Sequence, residues 1–177
     1  MKIKRKLKIC FMGGKQAGII GVLAILAKGH EISSAVSYSD DLTQALNFFD
    51  IHVNESIKDR HFIEALKSAD LLFSSHGRER VTPDLLKLPK LGSVNIHPFL
   101  YKYKGADPVG RALKDKERRA SVGAHIIEEK IDAGKVLVEE FIDIPGASNV
   151  DEIYNKLYPS YCTVILKVLD MMSDEKK

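Results

Sequence analysis

Apolar residues fall into short compact runs that alternate with stretches of helical spacing. Residues 7–12 form an apolar run broken only by Lys8, which predicts a buried strand. Residues 13–18 are glycine-rich and turn the chain, and residues 19–27 have helical character up to a stop at Gly29. A second strand is expected over 31–38, then a helix over 42–49 capped by Asp40 or Asp41, then a very short strand at 51–53. Phe62, Ile63 and Leu66 lie at helical spacing within 59–68. Leu71, Leu72 and Phe73 suit a central strand, with a polar loop over 74–78 at its carboxyl end. Thr82-Pro83 and Asp107-Pro108 each pair a capping residue with a proline fit for the first helical position. Between them, 91–96 reads as a strand. Residues 119–127 and 136–144 read as a hairpin. Ser148 or Asn149 caps a last helix carrying Ile153, Leu157, Tyr161, Val164, Ile165, Val168 and Leu169. Pro159 is expected to kink or interrupt that helix, and residues 173–177 to fray.

The strand–helix alternation of the first half predicts an α/β fold: a single Rossmann-like, doubly wound, mostly parallel sheet with helices on both faces. The second half adds an antiparallel C-terminal hairpin at one edge and a final helix. In such sheets ligands sit outside the carboxyl ends of the strands. Three patches share that location: the turn bearing Gly13, Gly14, Lys15 and Gln16, the loop after Ser74, and Asn95 with His97. Side chains at i and i+2 on a strand share a face, so Asn95 and His97 project together just before Pro98 ends the ladder. Asp132, in an Asp-Ala-Gly turn, joins them if the hairpin folds back over that edge. An amide, an imidazole and a carboxylate meeting there suit acyl transfer. On the residues alone, Asn95 after a strand is most often a turn residue, His97 before proline is often just packed or capped, and Asp132 is an ordinary turn carboxylate.

Composition narrows the classes. The 177 residues are 45% hydrophobic and 29% charged with a formal net charge of +3, enough for one domain spanning 1–177 with its own core. The basic excess gathers in a solvated arm over 1–6. No basic face interleaved with aromatics is evident, which argues against nucleic acid. Cys10 and Cys162 read as buried free thiols of a reducing compartment. No run is long enough for a signal core or a membrane span, so the cytoplasm is expected. No His/Cys/carboxylate spacing suggests a metal. The turn over 13–18 fits neither nucleotide-binding fingerprint, though its amides and Lys15 suit an anion at a helix start. His30, His52 and His61 read as surface or edge residues, and His125 first as a satisfied structural histidine and second as a residue lining the site.

Asn95-Ile96-His97-Pro98, Gly105, and the segment from Ser121-Val122 through His125 to Ile131-Asp132-Ala133-Gly134 resemble, in order and spacing, the signature of the folate-dependent formyltransferases. The resemblance is specific over 91–138. It implies a formyltransferase fold, Asn95, His97 and Asp132 as catalytic residues, and 10-formyltetrahydrofolate as formyl donor. It further implies that the donor's pterin is bound by Ser75, His76, Gly77 and Arg78 and by Glu128, Glu129 and Ile131. The acceptor side would involve Gly13, Gly14, Lys15 and Gln16, and the loop bearing Tyr101, Tyr103 and Gly105. That loop departs from the family's usual sequence after His-Pro, and the glycine-rich turn departs from the phosphate loop of the glycinamide ribonucleotide enzymes. The chain ends at Lys177, which sets aside the tRNA-binding domain of methionyl-tRNA formyltransferases and the regulatory domain of formyltetrahydrofolate hydrolases. The expected acceptor is therefore a small primary amine, an amino-sugar nucleotide first and glycinamide ribonucleotide second. A non-catalytic folate-binding module and a tRNA-directed subunit are the alternatives of other classes. The oligomeric state is not legible.

Overall fold

The structure, a computed structural model, describes residues 5–174. β1 (Lys8–Gly13), β2 (Glu31–Ser37), β3 (Val53–Asn54), β4 (Leu71–Ser75), β5 (Ser93–Pro98), β6 (Arg119–Ile126) and β7 (Val136–Asp143) form a seven-stranded sheet in the order β3-β2-β1-β4-β5-β6-β7. β3 through β5 in that order pair parallel, whereas β6 and β7 pair antiparallel to their neighbours. This is the mostly parallel sheet with an antiparallel edge that the alternation predicts.

The strand period of two sorts the core into two layers. Ile9, Phe11, Leu71, Phe73, Val94, Ile96, Ala120, Val122 and Ala124 face one side. There they meet α1 (Lys15–Ala27), α2 (Asp40–Phe48), α5 (Pro108–Lys114) and α6 (Val150–Ser173). Cys10, Met12, Val36 and Leu72 face the other side, under α3 (Arg60–Ser68) and α4 (Pro83–Leu86). No residue of β5 or β6 belongs to that second buried cluster among the described residues. The open face above β5 and β6 becomes the floor of a cavity.

Local differences from the sequence reading have physical reasons. α1 starts at Lys15, directly after Gly14 in extended backbone. Only Gly14 lies between β1 and α1. A Cβ on Gly18 would come within 2.9 Å of Leu42 Cδ2, and one on Gly21 within 3.0 Å of the Phe11 ring. Both glycines serve close packing, and Gly18 thereby resembles, in sequence, part of a flexible turn. α2 is capped by Ser39, whose Oγ accepts the Lys15 N–H at 2.7 Å, while Asp40 and Asp41 lie in the first turn where negative charge favours the helix dipole. The two later caps hold as expected: Asp107 accepts the Gly110 N–H, and Asn149 accepts the Glu152 N–H at 2.9 Å.

Pro159 does not interrupt α6, which runs unbroken for 24 residues. A proline inside a helix costs about 3 kcal/mol. Ile153, Leu157, Tyr161, Val164, Ile165, Val168 and Leu169 bury one stripe against the sheet. At roughly 1.5–3 kcal/mol for each fully buried large apolar side chain, that stripe outweighs the proline. Pro159 and Asn155, whose carbonyl loses its partner, are both exposed, so water can take the missing bond. Cys162 lies off the stripe and is exposed rather than buried, while burial pushes the Cys10 thiol up to about 11. Ser173, expected to fray, is buried at the end of α6, and its carbonyl accepts the Arg5 N–H at 3.1 Å. Of the basic arm, Arg5 pairs with Asp70 at 2.5 Å. Residues 1–4 and 175–177 lie outside the described residues. His30 is buried beneath β1, where its Nδ1 accepts the Leu7 N–H; His52 and His61 put their rings 4.0 Å apart at the β3 edge. No helix among the described residues is long and apolar enough to cross a membrane.

Candidate active site

The alternation that sends Val94 and Ile96 into the large core turns Asn95 and His97 to the open face. β6 obeys the same rule. Ala120, Val122 and Ala124 go inward, and Ser121, Gly123 and His125 come out beside β5. The register sets Asn95 opposite His125 and His97 opposite Gly123. Directly opposed residues of an antiparallel pair share a face at short range. Asn95 Nδ2 accordingly lies 3.3 Å from His125 Nε2. The turn between β6 and β7 then brings Asp132 back over the same rim, with its backbone in the left-handed region at φ 47°.

Asp132 is the hub. Its Oδ2 accepts the Gly105 N–H at 2.7 Å and lies 3.1 Å from His97 Nε2, and its Oδ1 lies 3.2 Å from His125 Nε2. Burial alone would raise this carboxyl. Hydrogen bonds from His125 and His97, the charge of His97 and the Gly105 N–H oppose it and hold the group well below the usual carboxylate range. Asp132 is therefore an anion at neutral pH. His97 Nε2 also lies 3.2 Å from the Gly105 carbonyl, so both its neighbours are acceptors and this nitrogen carries the proton. His97 Nδ1 is buried with no hydrogen-bond partner among the described residues. His125 Nδ1 lies 2.8 Å from the Ile126 carbonyl and must donate to it. Its Nε2 then either accepts from Asn95 or, when protonated, donates to Asp132. His125 thus couples the amide to the carboxylate and lines the site, the second of its two readings.

These groups line a cavity of about 550 Å³, within the size range of small-molecule sites. Its two walls come from opposite faces of the sheet. One carries Gly14 and Lys15 at the start of α1, Asp107 and Pro108 at the start of α5, and Tyr154 of α6. The other carries residues 77–81 and the hairpin loop with Glu128, Glu129 and Ile131. His76 stands between them, at φ 64°, with its Nε2 3.0 Å from Tyr154 Oη. Burial, and then the charges of Lys15, His97 and Arg78, push His76 down to about 4, so its ring is neutral. Lys15, His76, Asp107 and Asp132 all hold positive φ without being glycine.

The structure thus brings Asn95, His97, Asp132, His76, Gly77, Arg78, Glu128, Glu129, Ile131, Gly14, Lys15 and Gly105 to one cavity. It leaves others out. Ser75 is buried beneath, its Oγ donating to the Ala17 carbonyl at 2.8 Å. Gly13 is wedged against the Ser75 carbonyl and the Phe11 ring, and Gln16 accepts from Tyr158 at the surface. Tyr101 packs on Phe141 behind the hairpin, and Tyr103 is buried with its hydroxyl donating to Asp115 at 2.6 Å. Sequence reasoning missed Glu79, Arg80, Asp107 and Tyr154 as cavity residues. His125 carried a usable signal, because it alternates in phase with Ser121 on a strand paired with β5. Tyr154, on a distant helix, carried none. No three His, Cys, Asp or Glu side chains among the described residues are grouped to hold a metal.

A family model described as formyl transferase matches residues 55–169, more than half of the chain. The chain belongs to the formyl transferase family. It is 27% identical over 96% of its length to the bifunctional polymyxin resistance protein ArnA of Wigglesworthia glossinidia brevipalpis. It is 26% identical, again over 96% of its length, to the methionyl-tRNA formyltransferase of Flavobacterium psychrophilum. It spans only 28% and 59% of those two curated relatives. Among solved structures, glycinamide ribonucleotide transformylase 1 of Geobacillus kaustophilus shares the fold, with a TM-score of 0.79 and 19% identity. That match covers 97% of this chain and 100% of the other. The sheet order and the antiparallel edge are accordingly those of the formyltransferase fold.

Proposed function

We propose that the cavity transfers a formyl group from N10 of 10-formyltetrahydrofolate to the primary amine of a small-molecule acceptor. The observation that carries this is the rim: an ionised Asp132 held by His97 and Gly105, beside Asn95, between two walls that can each hold one substrate. The acceptor's nitrogen lone pair forms a bond to the formyl carbon, and the C=O electron pair moves onto oxygen. The Asn95 N–H and an N–H of the His97 ring donate to that oxyanion. Asp132 orients His97 and, through a water, passes the amine's proton toward N10. Collapse re-forms C=O and breaks the bond to N10, which leaves as tetrahydrofolate. A donor of this type is worth about 3 kcal/mol of barrier.

The donor is assigned to the wall with Gly77, Arg78, Glu128, Glu129 and Ile131, and the acceptor to the wall with Gly14, Lys15 and Tyr154. Lys15 and the open amides at the start of α1 suit a phosphate, which supports an amino-sugar nucleotide or, second, glycinamide ribonucleotide. Retention of a buried reduced Cys10 fits work in the cytoplasm. The test is tetrahydrofolate release from 10-formyltetrahydrofolate across a panel of amines containing amino-sugar nucleotides, glycinamide ribonucleotide and methionyl-tRNA. Turnover with one small amine supports the reading; no turnover together with no folate binding refutes it.

A further inference from the structure

We infer that Glu79 is a positioning residue for the formyl donor: its carboxylate staples the loop between β4 and α4 to the rest of the fold, and so sets the shape of the donor wall. This rests on the functional reading above. Glu79 lies in that loop beside Arg78. Its Oε1 accepts the Tyr38 hydroxyl at 2.9 Å and the Ile57 N–H at 3.2 Å, and its Oε2 accepts the Ser56 hydroxyl at 2.5 Å. Tyr38 follows β2, and Ser56 and Ile57 follow β3, so one carboxylate gathers three loops at the carboxyl edge of the sheet. Burial and the neighbouring carboxylate raise the Tyr38 phenol, which keeps it a donor. The other end of the loop is fixed too, by His76 on Tyr154. Arg80, which follows Glu79, donates to the Glu129 carbonyl at 3.0 Å and ties this loop to the hairpin loop on the same wall.

The reacting groups do not hang from this staple. Asn95 and His97 sit on β5, and Asp132 has its own three partners. Losing the staple should therefore loosen donor binding and spare the chemical step. Glu79→Ala should raise the KM for 10-formyltetrahydrofolate, and the Kd for 5-formyltetrahydrofolate, on the order of tenfold, with kcat and the acceptor KM within about threefold of wild type. Glu79→Gln should recover most of the loss. Its amide oxygen can still accept from Tyr38 and Ile57, and its N–H can donate to Ser56 Oγ. Tyr38→Phe should give a smaller rise, and adding it to Glu79→Ala should change nothing further. Tyr38→Phe and Glu79→Gln carry the test if Glu79→Ala does not fold. Unchanged donor KM and Kd in these variants, or a fall confined to kcat, would overturn the staple while wild-type folate binding leaves the functional reading intact. A wild-type protein that binds neither folate overturns both.

Discussion

Gly123→Ala tests how tightly the rim is specified. Gly123 lies in β6 opposite His97, and its missing side chain makes room for Leu100. A Cβ there would lie 2.6 Å from Leu100 Cδ2 and 2.9 Å from Leu100 Cβ, where ordinary contact begins at 3.4 Å. Leu100 is 2% exposed and cannot swing away. The loop must back off by about 0.5–1 Å, and that loop ends in Gly105, which holds both Asp132 and His97. Two effects compete. Alanine restricts the unfolded chain and by itself stabilises by about 0.4–1 kcal/mol. Overpacking costs about 1–3 kcal/mol, so the net is destabilising by about 1–2 kcal/mol. The catalytic loss should be larger in proportion, because misplacement by 1 Å can cost on the order of 100-fold. Urea melts and kcat/KM for formyl transfer should be measured beside Gly29→Ala. That residue sits at φ 77° with open space around it, so its alanine variant should lose stability and keep its kinetics. A Gly123→Ala enzyme with undiminished kcat/KM would refute the argument that Leu100 sets the height of Gly105.

Asp132→Asn keeps a residue type tolerant of φ 47° but removes the carboxylate whose depressed titration stabilises the fold at neutral pH and the charge that holds His97, so it should melt earlier than wild type and lose on the order of 10²–10³ in kcat. Near-normal turnover would remove Asp132 from the mechanism. His76 should make the fold acid-sensitive. Its value of about 4 lies below the ordinary 6.5, so between about pH 6.5 and pH 4 the unfolded chain binds a proton that the folded one does not. Stability should fall through that window by at most about 3 kcal/mol, and His76→Gln should flatten that part of the curve in denaturant melts at several pH values. Equal slopes in the two proteins would contradict it. Tyr161 is fully buried with no partner for its hydroxyl among the described residues, so Tyr161→Phe should leave stability unchanged or raise it by about 1 kcal/mol in urea. A clear loss would reveal a partner for that hydroxyl.

Much of this architecture was legible because local signals and burial agree. The cap-and-proline pairs at Thr82-Pro83 and Asp107-Pro108 mark helix starts, and the alternation around Val94 and Ile96 orients Asn95 and His97 before any strand is paired. What was not legible depended on tertiary packing. Gly18 reads as a turn residue because nothing local says that Leu42 will press against it. Pro159 reads as a breaker because propensity does not weigh the stripe on either side of it. At the site, the rim was visible as a motif, but its neighbours were not. Tyr101 and Tyr103 look like lining residues until the loop turns them onto Phe141 and Asp115. Glu79 shows its meaning only when the loops after β2 and β3 arrive around it.

The left-handed backbone at Lys15, His76, Asp107 and Asp132 has a practical consequence for anyone engineering this protein. Glycine at any of the four would relieve strain of order 1–3 kcal/mol, but at Asp107 it would also remove the cap of α5, and at His76 and Asp132 the hydrogen bonds that hold the rim. Lys15 is exposed, so Lys15→Gly is the change that a screen scored on heat tolerance alone would register as an improvement. That gain would delete a side chain from the cavity. Selection for robustness and selection for turnover should therefore pull Lys15 in opposite directions, and a library sorted on both traits should keep it while drifting freely at Asp50 and Lys116, which share the same backbone shape away from the cavity.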